Sequence, residues 1–282
     1  MQHSAVETRV TLTSGELSIQ EWGDPSSPTM ICLHGWLDNS ASFHRLAPLL
    51  SPAFHLLVVD LPGHGLSQPL ADGAHYYIWQ NIETLYELLV IKEIENVHLL
   101  GHSMGGVVAS LFAGAFADKV QSLILLDSLG PMTSQAKETP KQLAKAVLDS
   151  QRTPSALRVF PNIADALQAR KRSSPGMSDG ALLPIVERNL KQSVSGYSWR
   201  TDARLRHTSK VRLTDEQVMA FLEAITAPVL VIMAEQGIVP ESWVNQRMAG
   251  LKNAQLVYVS GHHHFHTESS GAEAISRHII NA

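Results

Sequence analysis

The sequence has very little cysteine, with Cys32 alone among 282 residues. A lone cysteine excludes an intrachain disulfide framework and any cysteine-rich zinc or iron–sulfur site. No apolar run reaches the roughly 18 residues that a membrane span requires. The first residues also lack the basic and apolar regions of a signal peptide. We therefore expect a cytoplasmic protein without a membrane span.

Charge is also scarce and nearly balanced. Charged residues make up 17% of the chain, and 22 Lys and Arg against 26 Asp and Glu give a net charge of −4. Nucleic-acid-binding proteins usually have a basic face, so we expect no nucleic-acid partner. With 44% hydrophobic residues, the chain is rich enough in apolar side chains to fold around a core. We expect a monomer or homodimer that acts on a small-molecule substrate.

Short and nearly continuous apolar runs recur along the chain, at residues 30–33, 56–59, 97–100, 123–126, 229–233 and 256–259. Such runs are typical of strands that are buried on both faces of a parallel sheet. Helical spacing of apolar residues occurs between them, over residues 75–91 and 104–116. Alternating stretches at 9–13 and 17–22 predict a hairpin that precedes them. The pattern predicts an α/β fold with a mostly parallel central sheet flanked by helices.

This alternation is interrupted once, between the strands at 123–126 and 229–233. Residues 131–225 contain no strand-like run, but they contain two helical patterns. One begins with a capping box of Thr214 and Gln217, and the other spaces apolar residues from Leu182 to Leu190. An insertion this long needs its own structure. We predict a helical lid over residues 131–225, inserted between two sheet strands of a core formed by residues 1–130 and 226–282.

A candidate nucleophile follows the strand at 97–100. The sequence Gly-His-Ser-Met-Gly spans residues 101–105 and leads into the helix at 104–116. Gly-x-Ser-x-Gly between a strand and a helix is typical of a nucleophile elbow. The strained turn requires neighbours without side chains, which Gly101 and Gly105 provide. We therefore predict that Ser103 is the nucleophile.

A candidate base lies in the histidine-rich loop after the last strand. In a fold with this kind of elbow the chain order is serine, acid, histidine, and residues 261–266 read Gly-His-His-His-Phe-His. The loop pattern favours His263 as the base and leaves His262 as the alternative. His262 and His266 also have the four-residue spacing of a helical zinc pair. Because Gly261 precedes them and no further ligand is indicated, we predict neither a metal nor another cofactor.

The acid is harder to assign. The loop after the strand at 229–233 reads Ala-Glu-Gln-Gly over residues 234–237, with Gly237 where an aspartate is usual. Glu235 is nearby, but it lies about two positions out of register. Asp127 ends the strand at 123–126, and we expect the two strand ends to be neighbours in the sheet. Asp127 is therefore the favoured acid, and Glu235 is the alternative.

The same arrangement predicts two donors for the negatively charged oxygen of a transition state. One is the backbone N–H of Trp36, in the loop after the strand at 30–33. The other is the backbone N–H of Met104, the residue after the nucleophile. Two such donors typically stabilise an oxyanion by several kcal/mol.

The sequence resembles the α/β-hydrolases. The motifs are His-Gly-Trp at 34–36, Asp-Leu-Pro-Gly-His-Gly-Leu-Ser at 60–67, the elbow at 101–105 and the histidine loop. It is similar in particular to the serine hydrolase-like proteins, through residues 125–128, 196–202 and 261–266. The resemblance implies an α/β-hydrolase fold with Ser103 as nucleophile. Haloalkane dehalogenases, which share this fold, place the acid after the strand that corresponds to 123–126, which favours Asp127.

We therefore expect a cofactor-independent serine hydrolase that cleaves an ester, thioester or lactone of a small, largely apolar substrate. It would act through a Ser-His-Asp triad and an acyl-enzyme. Carbon–carbon bond hydrolases and cofactor-free haloperoxidases use the same triad and remain alternatives. A non-catalytic ligand-binding protein on the same fold is the alternative from another class.

Overall fold

The computed structural model describes residues 5–151 and 158–281. In chain order its strands are β1 (Val6–Leu12), β2 (Gly15–Trp22), β3 (Thr29–Leu33), β4 (His55–Val59), β5 (Val97–His102), β6 (Val120–Leu126), β7 (Leu190–Ser193), β8 (Gly196–Trp199), β9 (Val229–Gln236) and β10 (Ala254–His262). The α-helices are α1 (Ala47–Leu50), α2 (Gln80–Ile91), α3 (Met104–Ala115), α4 (Thr139–Ser150), α5 (Ile163–Lys171), α6 (Asp179–Arg188), α7 (Asp215–Ala224), α8 (Glu241–Met248) and α9 (Ser269–Ile280). No helix among the described residues is long and apolar enough to cross a membrane.

Eight strands form one sheet in the order β1-β2-β4-β3-β5-β6-β9-β10. The pairs β1–β2 and β2–β4 are antiparallel, and the remaining pairs are parallel. Every apolar run that predicted a sheet strand lies in this sheet. The fold is therefore an α/β fold with a mostly parallel central sheet, as the sequence predicts.

The continuous apolar runs reflect burial of the strands on both faces. In β3, Ile31 and Leu33 belong to the apolar layer beneath α2 and α3. Their neighbours Met30 and Cys32 face the opposite layer, which includes apolar residues of α1 and α9. Since successive side chains point to opposite faces, a strand covered on both sides needs apolar residues at every position.

The segment between β6 and β9 contains α4, α5, α6 and α7, but also a hairpin of β7 and β8. The expectation of a helical insert without strands is therefore wrong on this point. The two strands have four residues each, and residues 191–193 are polar and exposed. A short, solvent-facing ribbon lacks the apolar run by which a buried strand is found in a sequence. We refer to residues 131–225 as the insert.

Two helix bounds differ from the sequence pattern. The helix predicted over 75–91 begins only at Gln80, because the preceding residues form turns. Tyr76, in the irregular stretch before the last of these turns, accepts a hydrogen bond from the Leu70 N–H and donates one to Asp202. The helix that includes Leu182 ends at Arg188, and Leu190 begins β7. The capping box of Thr214 and Gln217 forms as predicted at the start of α7.

Polar contacts attach α5 and α6 of the insert to the sheet and its loops. Arg188 of α6 donates to both carboxylate oxygens of the buried Asp60, at 3.2 and 2.9 Å, and to Glu7, at 2.7 Å. Arg170 of α5 donates to Asp38 at 2.6 Å. These two arginines hold this half of the insert at a defined position on the core.

Helix α7 of the insert is held differently, by close packing on α3. A Cβ added to Gly114 in α3 would collide with the backbone carbonyl of Phe221 in α7. Alanine normally stabilises a helix relative to glycine, but here the backbone of α7 occupies the space that the methyl group needs. Gly114 therefore allows the two helices to approach at backbone distance.

We expect Gly114→Ala to lower the free energy of unfolding by about 1–3 kcal/mol, because the methyl group forces α3 and α7 apart. Urea denaturation monitored by circular dichroism measures the loss. Gly180→Ala in α6 is the matched control, since its Cβ would meet only the end of the Arg45 side chain, at 3.3 Å. Equal stabilities of the two variants would contradict the packing argument.

Candidate active site

Ser103 occupies the sharp turn between β5 and α3. Its backbone has φ 51° and ψ −116°, in the left-handed region that favours glycine. A side chain at Gly101 would overlap the backbone of Gly105, and one at Gly105 would overlap the carbonyl of Leu33. Gly101 and Gly105 therefore make room for the elbow as predicted, because other backbone atoms lie where their side chains would be. The turn presents the Ser103 hydroxyl at the carboxyl edge of the sheet.

Three side chains that are distant in sequence form one hydrogen-bonded chain at this edge. His263 Nε2 lies 3.0 Å from Ser103 Oγ, and His263 Nδ1 lies 2.5 Å from Asp127 Oδ2. A carboxylate only accepts, so Nδ1–H donates to Asp127 and Nε2 accepts from the serine hydroxyl. The three residues therefore have the geometry of a nucleophile, a base and an orienting acid.

Asp127 follows β6, and its side chain is buried. It adopts a left-handed φ of 42°. Its carboxylate accepts hydrogen bonds from the backbone N–H groups of Ala234 and Ile238, each at 3.2 Å. A Cβ at Gly237 would overlap this carboxylate. Gly237, the residue that departs from the usual acid position, is thus needed to make room for Asp127.

The two predicted oxyanion donors lie in the loop after β3 and at the start of α3. Met104 is the first residue of α3, where the backbone N–H has no partner within the helix. Trp36 lies in the loop after β3, and α3 packs against this strand end through Gly105. Among the described residues, no acceptor is bonded to the Trp36 N–H. Both N–H groups remain available to a substrate oxygen.

The two alternative residues do not reach the nucleophile. His262 Nδ1 accepts from the backbone N–H of His264 at 3.1 Å, and its Nε2 lies 3.9 Å from Glu268. Glu235 is exposed near the end of β9 and has no hydrogen bond to His263 among the described residues. No group of three or more His, Cys, Asp or Glu side chains in the described part of the chain is arranged so that it could hold a metal ion.

The remaining histidines of the loop pack around His102, a residue within the elbow that the sequence did not single out. His102 Nε2 donates to the backbone carbonyl of His263 at 2.9 Å. The ring of His266 lies 4.1 Å from the ring of His102, measured between centroids. Burial lowers the pKa of both imidazoles well below the usual value, and the neighbouring histidines lower it further. The His102 ring, which lies 4.7 Å from the ring of His263 between centroids, is therefore neutral beside the base.

Asp38 is a second residue that sequence reasoning missed. Its carboxylate is buried between Arg170, at 2.6 Å, and His264 Nε2, at 3.4 Å. Burial raises the pKa of Asp38, but its contacts with His264 and with the Arg170 guanidinium outweigh this effect, so the pKa lies well below its usual range. Asp38 therefore connects the insert to the histidine loop. Its partners are distant in the chain, so no local pattern in the sequence indicates this role.

The family of this chain follows from its match to known proteins. Residues 28–269 match the family model described as the alpha/beta hydrolase fold. The chain therefore belongs to the α/β-hydrolase family, and the predicted fold class and hydrolase class are confirmed.

Individual relatives agree with this assignment. The "Serine hydrolase-like protein" of Danio rerio is 28% identical over 299 residues, which cover 100% of this chain and 89% of that protein. The "Probable serine hydrolase" of Drosophila melanogaster is 29% identical over 287 residues, covering 97% and 86%. The predicted similarity to the serine hydrolase-like group is thereby confirmed.

Solved structures extend the likeness to three dimensions. The hypothetical protein PA1622 of Pseudomonas aeruginosa PAO1 is 34% identical and has a TM-score of 0.91, with 98% of each chain covered. A thioesterase domain from the curacin biosynthetic pathway has a TM-score of 0.87 at 23% identity, with 99% of this chain and 100% of that chain covered. The second likeness concerns the fold alone.

The buried histidines predict how stability depends on pH. His266 has no hydrogen-bond partner for either ring nitrogen among the described residues, and burial lowers its pKa. Below about pH 6.5 the unfolded chain therefore binds a proton that the folded chain does not, and stability falls as the pH falls. His266→Phe removes this protonation site. The acid slope, meaning the fall in the free energy of unfolding per pH unit below pH 6.5, therefore becomes shallower by up to about 1.4 kcal/mol per pH unit.

Urea denaturation at pH 7, 6 and 5 measures this slope. His278→Gln, at an exposed position of α9, is the control and keeps the wild-type slope. At pH 7 we expect His266→Phe to be as stable as wild type or more so, because an apolar ring needs no hydrogen bonds. An unchanged acid slope in this variant would show that His266 is not held neutral by burial.

Proposed function

We propose that the protein is a cofactor-independent serine hydrolase that cleaves an ester, thioester or lactone. Ser103 is its nucleophile, His263 its base and Asp127 its acid. The observation that supports this proposal most directly is the hydrogen-bonded chain from Ser103 Oγ through His263 to Asp127, with distances of 3.0 and 2.5 Å. The same chain favours an enzyme over a non-catalytic ligand-binding protein.

The first half of the reaction forms an acyl-enzyme. Ser103 Oγ attacks the substrate carbonyl carbon while His263 Nε2 takes the hydroxyl proton, and Asp127 stabilises the resulting imidazolium. The N–H groups of Trp36 and Met104 donate to the oxyanion of the tetrahedral intermediate. His263 then gives its proton to the leaving alcohol or thiol as the bond to the carbonyl carbon breaks.

The second half releases the acid product. Water attacks the acyl carbon and transfers a proton to His263, and the collapse of the second intermediate returns that proton to Ser103 Oγ. Only protein side chains, two backbone N–H groups and water take part. These steps are complete without a metal or an organic cofactor.

A largely apolar substrate fits the side chains beside the site. Trp36 contributes an N–H to the proposed oxyanion hole, yet its side chain is 51% exposed. Ile238, whose N–H bonds to Asp127, and Met132, five residues after Asp127, are also exposed. Exposed apolar side chains on the segments that carry the proposed oxyanion donor and acid favour apolar ligands. We propose that the insert acts as the lid that completes this binding surface.

We expect Ser103→Ala to abolish labelling by a fluorophosphonate probe and to lower kcat for short p-nitrophenyl esters by about 10³-fold or more. The variant loses the only atom that forms the acyl bond. In-gel fluorescence and initial rates measure the two effects. Ser195→Ala, at an exposed position between β7 and β8, is the control and retains wild-type labelling. Labelling of Ser103→Ala at the wild-type rate would refute the nucleophile assignment.

The acid assignment has its own test. We expect Asp127→Asn to lower kcat by about 10⁴-fold, since the imidazole loses its orienting charge. Glu235→Gln leaves the rate within about twofold of wild type, because its side chain is exposed and has no contact with His263. Steady-state kinetics of the two purified variants separate these outcomes. Equal losses in both variants would overturn the assignment to Asp127.

An exchange of two residues tests the same assignment by gain of activity. Asp127→Gly removes the carboxylate and opens the space that it occupies beside Gly237. Adding Gly237→Asp to this variant places a carboxylate on the neighbouring loop. We expect the double variant to recover at least tenfold over Asp127→Gly alone, measured as kcat. Gly237→Asp in the wild-type background is the control and lowers activity, because the two side chains then compete for one space.

A further inference from the structure

The solvent-facing side of α4 is unusually apolar. The helix buries Ala146 completely but leaves Leu143 44%, Val147 42% and Leu148 67% exposed. Residues four apart lie on one face of a helix, so Leu143 and Val147 form a row. Leu148 follows Val147 directly and lies about 100° around the helix from it. Three large aliphatic side chains exposed on one short helix usually indicate an interaction surface.

The position of α4 relates this face to the proposed active site. Gln142 of α4 donates to the carbonyl of Ser209 at 2.6 Å, and Asp149 accepts a hydrogen bond from Thr208. A few residues earlier in the same segment, the carbonyl of Leu205 accepts a hydrogen bond from the indole of Trp36 at 3.0 Å. The short segment 205–209 therefore joins α4 directly to the oxyanion loop.

Positive charge accompanies the apolar row. Lys141 and Lys145 lie one helical turn apart on α4, Lys137 precedes the helix, and Arg206 lies in the connecting segment. All four are exposed, and none has an ion-pair partner among the described residues. The acidic residues of this stretch are Glu138 and Asp149, and Asp149 is turned toward Thr208. The surface is therefore cationic on a chain whose net charge is −4.

We call this set of residues the α4 surface, which comprises Lys137, Lys141, Leu143, Lys145, Val147, Leu148 and Arg206. We propose that the α4 surface docks the protein on an anionic lipid surface, with the Ser103 site beside the contact. Leu148 lies on the face of Lys141 and Lys145, and the Leu143–Val147 row lies on another face of the same helix. A lipid surface that the aliphatic side chains enter offers its anionic headgroups to the lysines. The apolar residues project from two sides of the helix, which a deformable lipid surface accommodates without a preformed socket.

An acidic protein is the other class of partner that a cationic surface attracts. Its recognition would depend mainly on the lysines, whereas docking on lipid depends on the lysines and the aliphatic row together. The two partners therefore respond differently to removal of the aliphatic side chains.

Co-sedimentation with sonicated vesicles measures docking by the full chain, in the Ser103→Ala background so that no substrate turnover is involved. We expect binding to vesicles of phosphatidylcholine with 30% phosphatidylglycerol, and at least tenfold weaker binding to phosphatidylcholine alone. Lys141→Gln with Lys145→Gln weakens binding to the anionic vesicles by about 25-fold, at about fivefold per lysine. Leu143→Gln with Leu148→Gln weakens it by at least tenfold, because the apolar contact is lost.

The control replaces two exposed lysines elsewhere, Lys191→Gln with Lys252→Gln, and keeps wild-type binding. Thermal denaturation verifies that every variant is folded. Absence of binding to the anionic vesicles, or wild-type binding by the Lys141 and Lys145 variant, would overturn the proposal. Binding to poly-L-glutamate as tight as to vesicles, and unaffected by the two leucine substitutions, would also overturn it in favour of an acidic protein partner. Because docking is measured without turnover, its outcome does not depend on the proposed catalytic triad.

Discussion

The candidate site depends on the space shared by the Asp127 carboxylate and Gly237. The carboxylate occupies the volume that any side chain at position 237 would fill, and it accepts hydrogen bonds from Ala234 and Ile238 in the same loop. From this position it reaches His263 Nδ1 at 2.5 Å. The glycine at position 237 and the aspartate at position 127 therefore depend on each other. A side chain at position 237 would need the space that the Asp127 carboxylate occupies.

Two left-handed residues flank this arrangement, Ser103 with φ 51° and Asp127 with φ 42°. Such backbone conformations are costly for residues other than glycine and persist only when the surroundings fix them. Here the surroundings are the ends of adjacent parallel strands, since the Ser103 N–H donates to the carbonyl of Leu126 and the Asp127 N–H to that of Ile232. The core of the sheet therefore stabilises the strained residues at its edge.

The sequence predicts the parts of this molecule that follow from local patterns. Buried strands appear as continuous apolar runs, and the elbow appears as glycines around Ser103. The adjacency of β6 and β9 was enough to favour Asp127. Contacts between distant residues have no such pattern, so the bond of His102 to the His263 carbonyl and the pairing of Asp38 with Arg170 were not predictable. The β7–β8 hairpin was missed because its strands are short and polar.

The arginines that attach α5 and α6 to the core limit how far the sequences of these two helices can change. Arg188 and Arg170 both bind carboxylates that are themselves buried in the core, so either helix is costly to replace without leaving a buried charge unpaired. Helix α4 has no comparable bond to a buried core carboxylate among the described residues. Changes of ligand preference over evolutionary time, or by design, would therefore accumulate in α4 first, while the other side of the insert stays constant.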